Sequence, residues 1–338
     1  MKILILGADG FIGYHLTESI LKDERFNDST IVGVDLNEMR VPMLPDNDRY
    51  CFVKGDIKDY DMIDRLVENA DVILPFVAIA TPKLYVEQPL RVFNLDFEEN
   101  LRVIKLAHAL GKRVIFPSTS EVYGKGEAPF DEEQTDLVYG PIKYSRWIYA
   151  CSKQLLDRVI FAMHQSSPFR FTLFRPFNWV GPYLDSLDST SEGSSRLITQ
   201  LMGDALQRQE LTLVDGGHQK RCFTDVRDGV AALKEILLNE DKSNGEIFNI
   251  GNPWNNLSVS EVADILVEQL KERKLVDNVE IKVKSSGEFY GSGYQDVSNR
   301  VPSINNIGNK LGWSPKITFK DSLKNILNSL DKDTSGNI

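Results

Sequence analysis

The chain has few cysteines, few histidines, no long apolar run and less positive than negative charge. Its three cysteines, Cys51, Cys151 and Cys222, are far apart and odd in number. That excludes a disulfide framework and points to a reducing, cytoplasmic compartment. None has zinc-site spacing and the four histidines do not cluster, so no metal is expected. With 39 Lys and Arg against 49 Asp and Glu, the net charge is −10. Nucleic acid is therefore an unsuitable partner, because phosphate backbones require a basic face. No apolar run approaches the ~18 residues of a membrane span. The opening MKILILG is followed at once by turn residues and reads as a buried strand, not a signal peptide.

What is present is globular material. The 338 residues are 42% hydrophobic and 26% charged, with no internal repeat or low-complexity linker. Short β-branched runs at Lys2–Leu6, Thr30–Val34, Tyr50–Val53, Asp71–Phe76, Arg113–Pro117 and Arg170–Phe174 predict strands. Helical patterns near 12–23, 59–69, 90–110 and 146–165 alternate with them. This order predicts an α/β fold: a Rossmann-type doubly wound parallel sheet covered on both faces. After Pro176 loops lengthen, and helices are expected near 194–208, 258–273 and 319–330. The expected division is a cofactor domain over 1–175, with 226–252 returning to it. A smaller substrate lobe would comprise 176–225 and 253–330, and 331–338 would form a flexible tail.

The first strand runs into Gly7-Ala8-Asp9-Gly10-Phe11-Ile12-Gly13. Three glycines between a strand and a helix suit a turn on which a pyrophosphate rests at the helix N-terminus. A structural glycine turn is the bland alternative. Context favours the nucleotide. The second strand ends at Asp35, where a carboxylate can hold the adenosine ribose hydroxyls and repel a 2′-phosphate, so NAD is expected over NADP. Asp56 and Ile57 follow the third strand, within reach of an adenine amino group. The small residues of VAIATP (77–82), Ala78 among them, leave room at the sheet's carboxyl edge.

Tyr149 and Lys153 are four apart on a predicted helix and face the same way. Thr119 ends the preceding strand. This trio suits hydride chemistry on an alcohol: a tyrosine base favoured by a neighbouring Lys⁺, with a hydroxyl aligning the substrate oxygen. Glu121, two residues on, would leave the same face if strand geometry persisted. The loop Asp215–Arg221 offers backbone N–H groups and cations for a diphosphate. Each has a duller reading: an amphipathic helix, a loop carboxylate, a solvated hairpin.

Longer segments carry a specific resemblance: FPSTSEVYG (116–124), RWIYACSKQLLDRVI (146–160), FTLFRPFNWVGP (171–182), GSSRLITQ (193–200), DGGHQKRCFTD (215–225), NIGNP (249–253) and YGSGYQDVSNRVPSI (290–304). Together with the glycine turn they span essentially the whole chain. It resembles the UDP-glucuronic acid decarboxylase branch of the extended short-chain dehydrogenases. Within that branch it is most similar to the dehydrogenase half of the bifunctional polymyxin-resistance enzymes, which form UDP-4-keto-pentose.

The resemblance implies NAD-dependent oxidative decarboxylation of UDP-glucuronate. It implies Glu121 as proton acceptor and Arg300 as proton donor, beside Thr119, Tyr149 and Lys153. Ala80, Tyr85, Thr119, Ser120, Arg146, Asn178, the 212–221 loop (Thr212, Gln219, Lys220, Arg221) and Tyr294 match substrate positions. Gly7, Gly10, Phe11, Ile12, Gly13, Asp35, Asp56, Ile57 and Ala78 match cofactor positions. Thr212 and His218 depart from the pattern, since those enzymes carry Lys at both. Cys151 is shared with plant UDP-apiose/UDP-xylose synthases, which have Cys where this chain has Ser120. Rival outcomes are a UDP-xylose synthase that retains its NADH, a 4-epimerase that keeps the carboxylate, and a redox-sensing binder without turnover. A homodimer through the helices at 90–110 and 146–165 is also implied.

Overall fold

A computed structural model describes residues 1–187, 195–290, 297 and 299–335. In chain order the strands are β1 (Lys2–Leu6), β2 (Thr30–Asp35), β3 (Tyr50–Lys54), β4 (Val72–Pro75), β5 (Arg113–Pro117), β6 (Phe171–Pro176), β7 (Trp179–Val180), β8 (Glu210–Val214), β9 (Lys220–Cys222), β10 (Thr224–Asp225), β11 (Glu246–Ile250), β12 (Asn256–Ser258) and β13 (Glu280–Lys284). The helices are α1 (Phe11–Leu21), α2 (Tyr60–Asn69), α3 (Pro82–Glu87), α4 (Pro89–Phe93), α5 (Asn100–Ala109), α6 (Trp147–Ser166), α7 (Leu197–Arg208), α8 (Val226–Leu238), α9 (Glu240–Ser243), α10 (Val259–Glu272), α11 (Ser286–Tyr290), α12 (Asn305–Leu311) and α13 (Phe319–Ser335).

Seven strands form one parallel sheet in the order β11-β6-β5-β4-β1-β2-β3. The order reverses at β1, so a crevice opens beyond its carboxyl end, where such folds take ligands. The apolar runs that predicted β1, β4 and β5 are buried because helices cover both faces. On one face α1 and α8 pack through Leu16, Ile20, Leu233 and Ile236. On the other α2, α5 and α6 pack through Ile63, Val67, Ile104, Leu156 and Ile160. Within 226–252, α8 leads to β11, which pairs with β6 at the edge of the sheet. A separate apolar cluster joins α7, β8, α10 and α13 through Leu201, Leu211, Leu266 and Leu323.

Two expectations need correction. The helical pattern over 90–110 is not one α-helix. It passes from α4 through a π-helical turn, Asn94–Glu99, into α5. The Asn100 amide enters the ladder there, donating to Leu95 O and Asp96 O at 3.0 and 3.4 Å and to Val77 O at 3.0 Å. A side chain that takes those carbonyls loosens the helix locally. Of the tail expected over 331–338, residues 331–335 belong to α13, and the rest lies outside the described residues.

Candidate active site

The glycine turn lies at the carboxyl end of β1. Gly7 has φ +91°, the left-handed region that glycine enters without strain. Gly13 is there for closeness: a Cβ would sit 2.3 Å from Gly7 O. Phe11 is buried and Ile12 packs against the same core, so only their backbones face the turn. Helix α1 begins at Gly10 with no side-chain cap, leaving its first N–H groups for an anion.

Asp9 has a function that the sequence reading missed. Its carboxylate accepts from Met39 N, Arg40 N and Val41 N at 3.0, 2.6 and 2.9 Å, which pins the loop after β2. Its own N–H donates to Asp35 Oδ2 at 3.0 Å. Burial raises the Asp35 carboxyl, partly offset by the Asn37 and Asp9 N–H groups. Gly55 N donates to Asp35 O at 2.9 Å, which brings Asp56 alongside, and Ile57 is buried beneath. Ala78 lies between two pinned residues, since Val77 O accepts from Asn100 and Ile79 N donates to Asp96 Oδ1 at 2.8 Å. These residues fit NAD: close glycines, an uncapped helix start and a carboxylate beside the ribose position.

The second cluster gathers at the end of β5. Three consecutive residues there each hold one residue of α6, and the three α6 residues are a turn apart. Lys153 Nζ donates to Pro117 O at 3.1 Å, Ser118 Oγ donates to Asp157 Oδ2 at 2.7 Å, and Thr119 hydrogen-bonds the Tyr149 side chain. β5 and α6 thus bring Thr119 onto Tyr149, with Lys153 one turn further along α6. The electrostatics differ from expectation. Burial pushes the Tyr149 phenol up, Asp96 pushes it further, and Thr119 opposes. Lys153⁺ is not the dominant neighbour, because its ammonium is turned to Pro117 O. Burial lowers Lys153 against the pull of Asp96 and Asp157.

Asp96 is fully buried in the π-helical turn. Burial raises it to about 6, against Lys153 and the Ile79 N–H. No sequence pattern singled it out.

Glu121 does not continue the strand. Thr119 Oγ1 accepts from Glu121 N at 3.2 Å and starts a 3-10 turn over Ser120–Tyr123. That turn buries Ser120 and swings the Glu121 carboxylate between two guanidiniums, Arg146 and Arg300. Burial would raise Glu121, but Arg146 and Arg300, with Arg221 behind them, hold it at about 2. Glu121 and Arg146 also act electrostatically on Tyr85, whose ring lies against Tyr149.

Beside this cluster is a cavity of about 230 Å³ whose lining includes Ala80, Asn178, Arg196, Thr212, Gln219 and Arg221. Asn178 has φ +39°, and its Nδ2 is buried with no hydrogen-bond partner among the described residues. Lys220 does not join the lining. Along β9 side chains alternate, so Lys220 is exposed while Arg221 turns inward. Tyr294 lies outside the described residues. Arg196, which the sequence reading did not assign, sets its guanidinium 5.5 Å from the Phe11 ring, between cavity and glycine turn. Among the described residues there is no cluster of metal ligands and no helix long and apolar enough to cross a membrane.

Comparison with known proteins agrees with this arrangement. The model of the NAD dependent epimerase/dehydratase family matches residues 3–251. The crystal structure of PbgP3 protein from Burkholderia pseudomallei is 45% identical, with a TM-score of 0.87, covering 99% of this chain and 97% of that one. Two further structures share the fold. One is dTDP-glucose 4,6-dehydratase from Bacillus anthracis in complex with NAD, at 22% identity and TM-score 0.80, with 99% and 98% covered. The other is a mutant UDP-glucuronic acid 4-epimerase from Bacillus cereus in complex with NAD and a fluorinated UDP-glucuronic acid. It shows 22% identity and a TM-score of 0.80, with 98% and 99% covered. With a nucleotide turn, a Thr-Tyr-Lys cluster and a family match over most of its length, the chain belongs to the NAD dependent epimerase/dehydratase family.

Proposed function

We propose that this NAD-dependent enzyme oxidises UDP-glucuronate at C4 and removes its C6 carboxylate, giving UDP-4-keto-pentose, CO2 and NADH. The observation that carries the reading is the pair of guanidiniums, Arg146 and Arg300, converging on a carboxylate beside Thr119, Tyr149 and Lys153. The carboxylate they hold here is that of Glu121, and guanidinium forks of this kind suit a substrate carboxylate as well, since they match two oxygens.

The residues divide the work. Bound NAD supplies the hydride acceptor. Thr119 and Tyr149 hold the C4 oxygen. The Tyr149 phenolate, which burial and Asp96 oppose, is favoured by the positive nicotinamide of bound NAD, so that the C4 hydroxyl proton passes to Tyr149 as the C4–H bond gives up its hydride. The C4 ketone makes the C6 carboxylate a β-keto acid. When the C5–C6 bond breaks, its electron pair becomes an enolate whose oxygen Tyr149 and Thr119 stabilise. Arg300 holds the carboxylate before its loss and then gives a proton to C5, regaining one from solvent, while the proton that Tyr149 took from the C4 hydroxyl passes to solvent. Glu121 is a weak base while two guanidiniums hold it at about 2. A substrate carboxylate that draws Arg300 away raises Glu121 and makes it a better proton acceptor.

The proposed substrate positions are Ala80, Tyr85, Ser120, Asn178, Thr212, Gln219 and Arg221, with the uridine diphosphate in the cavity. The proposed cofactor domain is 1–175 with 226–252. A homodimer is proposed through α4, α5 and α6, where Leu90, Leu155 and Phe161 are exposed. The free thiols of Cys51, Cys151 and Cys222 suit a cytoplasmic enzyme.

The test is incubation with UDP-glucuronate and NAD, following NADH absorbance and product mass. Equal NADH and CO2 support the reading, and Tyr149→Phe should abolish both. CO2 without net NADH assigns a UDP-pentose synthase instead. An isomer of unchanged mass assigns an epimerase, and no reaction overturns the substrate assignment.

A further inference from the structure

Arg300 is far in sequence from the carboxylate it holds, so something must fix the distance between the Glu121 turn and the Arg300 segment. Asn249, at the end of β11 and fully buried, touches both. Its Oδ1 accepts from Tyr123 OH at 2.8 Å, in the same 3-10 turn as Glu121. Its Nδ2 donates to Ser303 O at 3.2 Å, three residues beyond Arg300, and to Phe130 O at 2.9 Å. Phe130 in turn brackets the segment: its N–H donates to Val301 O and its carbonyl accepts from Ser303 N, both at 2.7 Å. Glu132 accepts the Asn249 N–H at 2.6 Å. Gly251 adds a steric stop, since a Cβ there would lie 2.7 Å from Pro302 Cγ.

We infer that Asn249 is a positioning residue for decarboxylation, holding Arg300 in register with Glu121 directly and acting on the hydride-transfer cluster only through intermediaries. The chemistry needs such a device. An amide offers one acceptor and two donors in one plane, and here the acceptor serves the Glu121 turn while the donors serve the Phe130–Ser303 bridge. No other side-chain type of this size presents both. Tyr149 and Lys153 sit on α6 against β5 and are tied to Asn249 only indirectly, through Tyr123 OH, which accepts from Arg175 at 2.8 Å, the partner of Asp157 on α6. Asn249 therefore touches the Glu121–Arg300 side directly and the hydride-transfer side through intermediaries.

This inference rests on the decarboxylase reading, and its test separates the two. Asn249→Ala is assayed with UDP-glucuronate and NAD, recording NADH and CO2 independently. Hydride transfer should stay within about threefold of wild type, while CO2 release falls about tenfold or more and the still-carboxylated intermediate, the UDP-4-keto-hexuronate, accumulates by mass. Asn249→Ser, which keeps a small hydroxyl in place of the amide and leaves the Tyr123–Arg175 hydrogen bond intact, should show the same split more weakly should Asn249→Ala not fold. NADH and CO2 falling in equal proportion, or neither changing, overturns the inference. If the wild type releases no CO2, the function reading fails. The positioning claim is then judged by a crystal structure of Asn249→Ala, and an unchanged Arg300–Glu121 ion pair would refute it.

Discussion

The Tyr85 ring lies flat on the Tyr149 ring, with centroids 4.6 Å apart and planes 5° apart. The contact joins α3, at the mouth of the cleft, to the proposed base on α6. Tyr85→Phe keeps the stacked face and should retain most activity. Tyr85→Ala empties a buried site and should cost roughly 3 kcal/mol in urea unfolding, with lower kcat. If Tyr85→Phe were as damaged as Tyr85→Ala, the hydroxyl and not the stack would be the working part.

Asp35 is the proposed determinant of cofactor choice, acting by charge. Asp35→Ser removes the carboxylate that a 2′-phosphate would meet. The kcat/KM ratio of NADP to NAD should rise by about tenfold, the equivalent of ~1.4 kcal/mol. An unchanged ratio would place the discrimination elsewhere, in the loop that Asp9 pins.

Arg146→Met leaves Glu121 with less compensation in a partly closed site. Breaking one side of a buried pair should cost about 3 kcal/mol at neutral pH. The wild-type Glu121 is held at about 2, below its ordinary 4.5, so its contribution is present above 4.5 and lost as pH falls toward 2. The stability gap between the two proteins should narrow over that interval. A gap independent of pH would assign the loss to packing on Trp147, over which the Arg146 guanidinium lies at 4.6 Å.

Glu132 has the opposite sign. Burial raises it to about 7, opposed by the Asn249 N–H. The folded protein keeps its proton longer than the unfolded chain, so stability is greatest below 4.5 and falls as pH rises toward 7. Glu132→Gln retains an acceptor for Asn249 N and removes the titration. Its thermal midpoint should therefore fall less than that of the wild type over the same pH range. Parallel curves would mean that Glu132 does not titrate there.

The local parts of this site were legible in the sequence. Gly7 and Gly13 follow a β-branched strand at a spacing that only a close turn requires. Tyr149 and Lys153 share a helix face by their interval alone. The parts built from distant segments were not. Nothing in the run from Thr119 to Glu121 says that the Thr119 hydroxyl ends the strand and turns Glu121 toward Arg146. Arg300 reaches Glu121 only through the fold, and Asn249 holds that approach from a third segment. Asp96 was hidden because the pattern over 90–110 is helical, and the π-helical turn depends on where the Asn100 amide inserts. Lys220 and Arg221 are equivalent by residue type, and only the β9 register separates them.

The last strand to enter the main sheet, β11, belongs to chain made long after its neighbour β6. Until Glu246–Ile250 has left the ribosome, β6 presents an open edge carrying Phe171, Leu173 and Phe174, an adhesive surface for other chains. A fragment cut after β6 would keep the glycine turn and the Thr-Tyr-Lys cluster yet expose that edge permanently. Dissection of this protein into halves should therefore follow the sheet and not the chain, keeping α8 and β11 with the residues that precede Pro176.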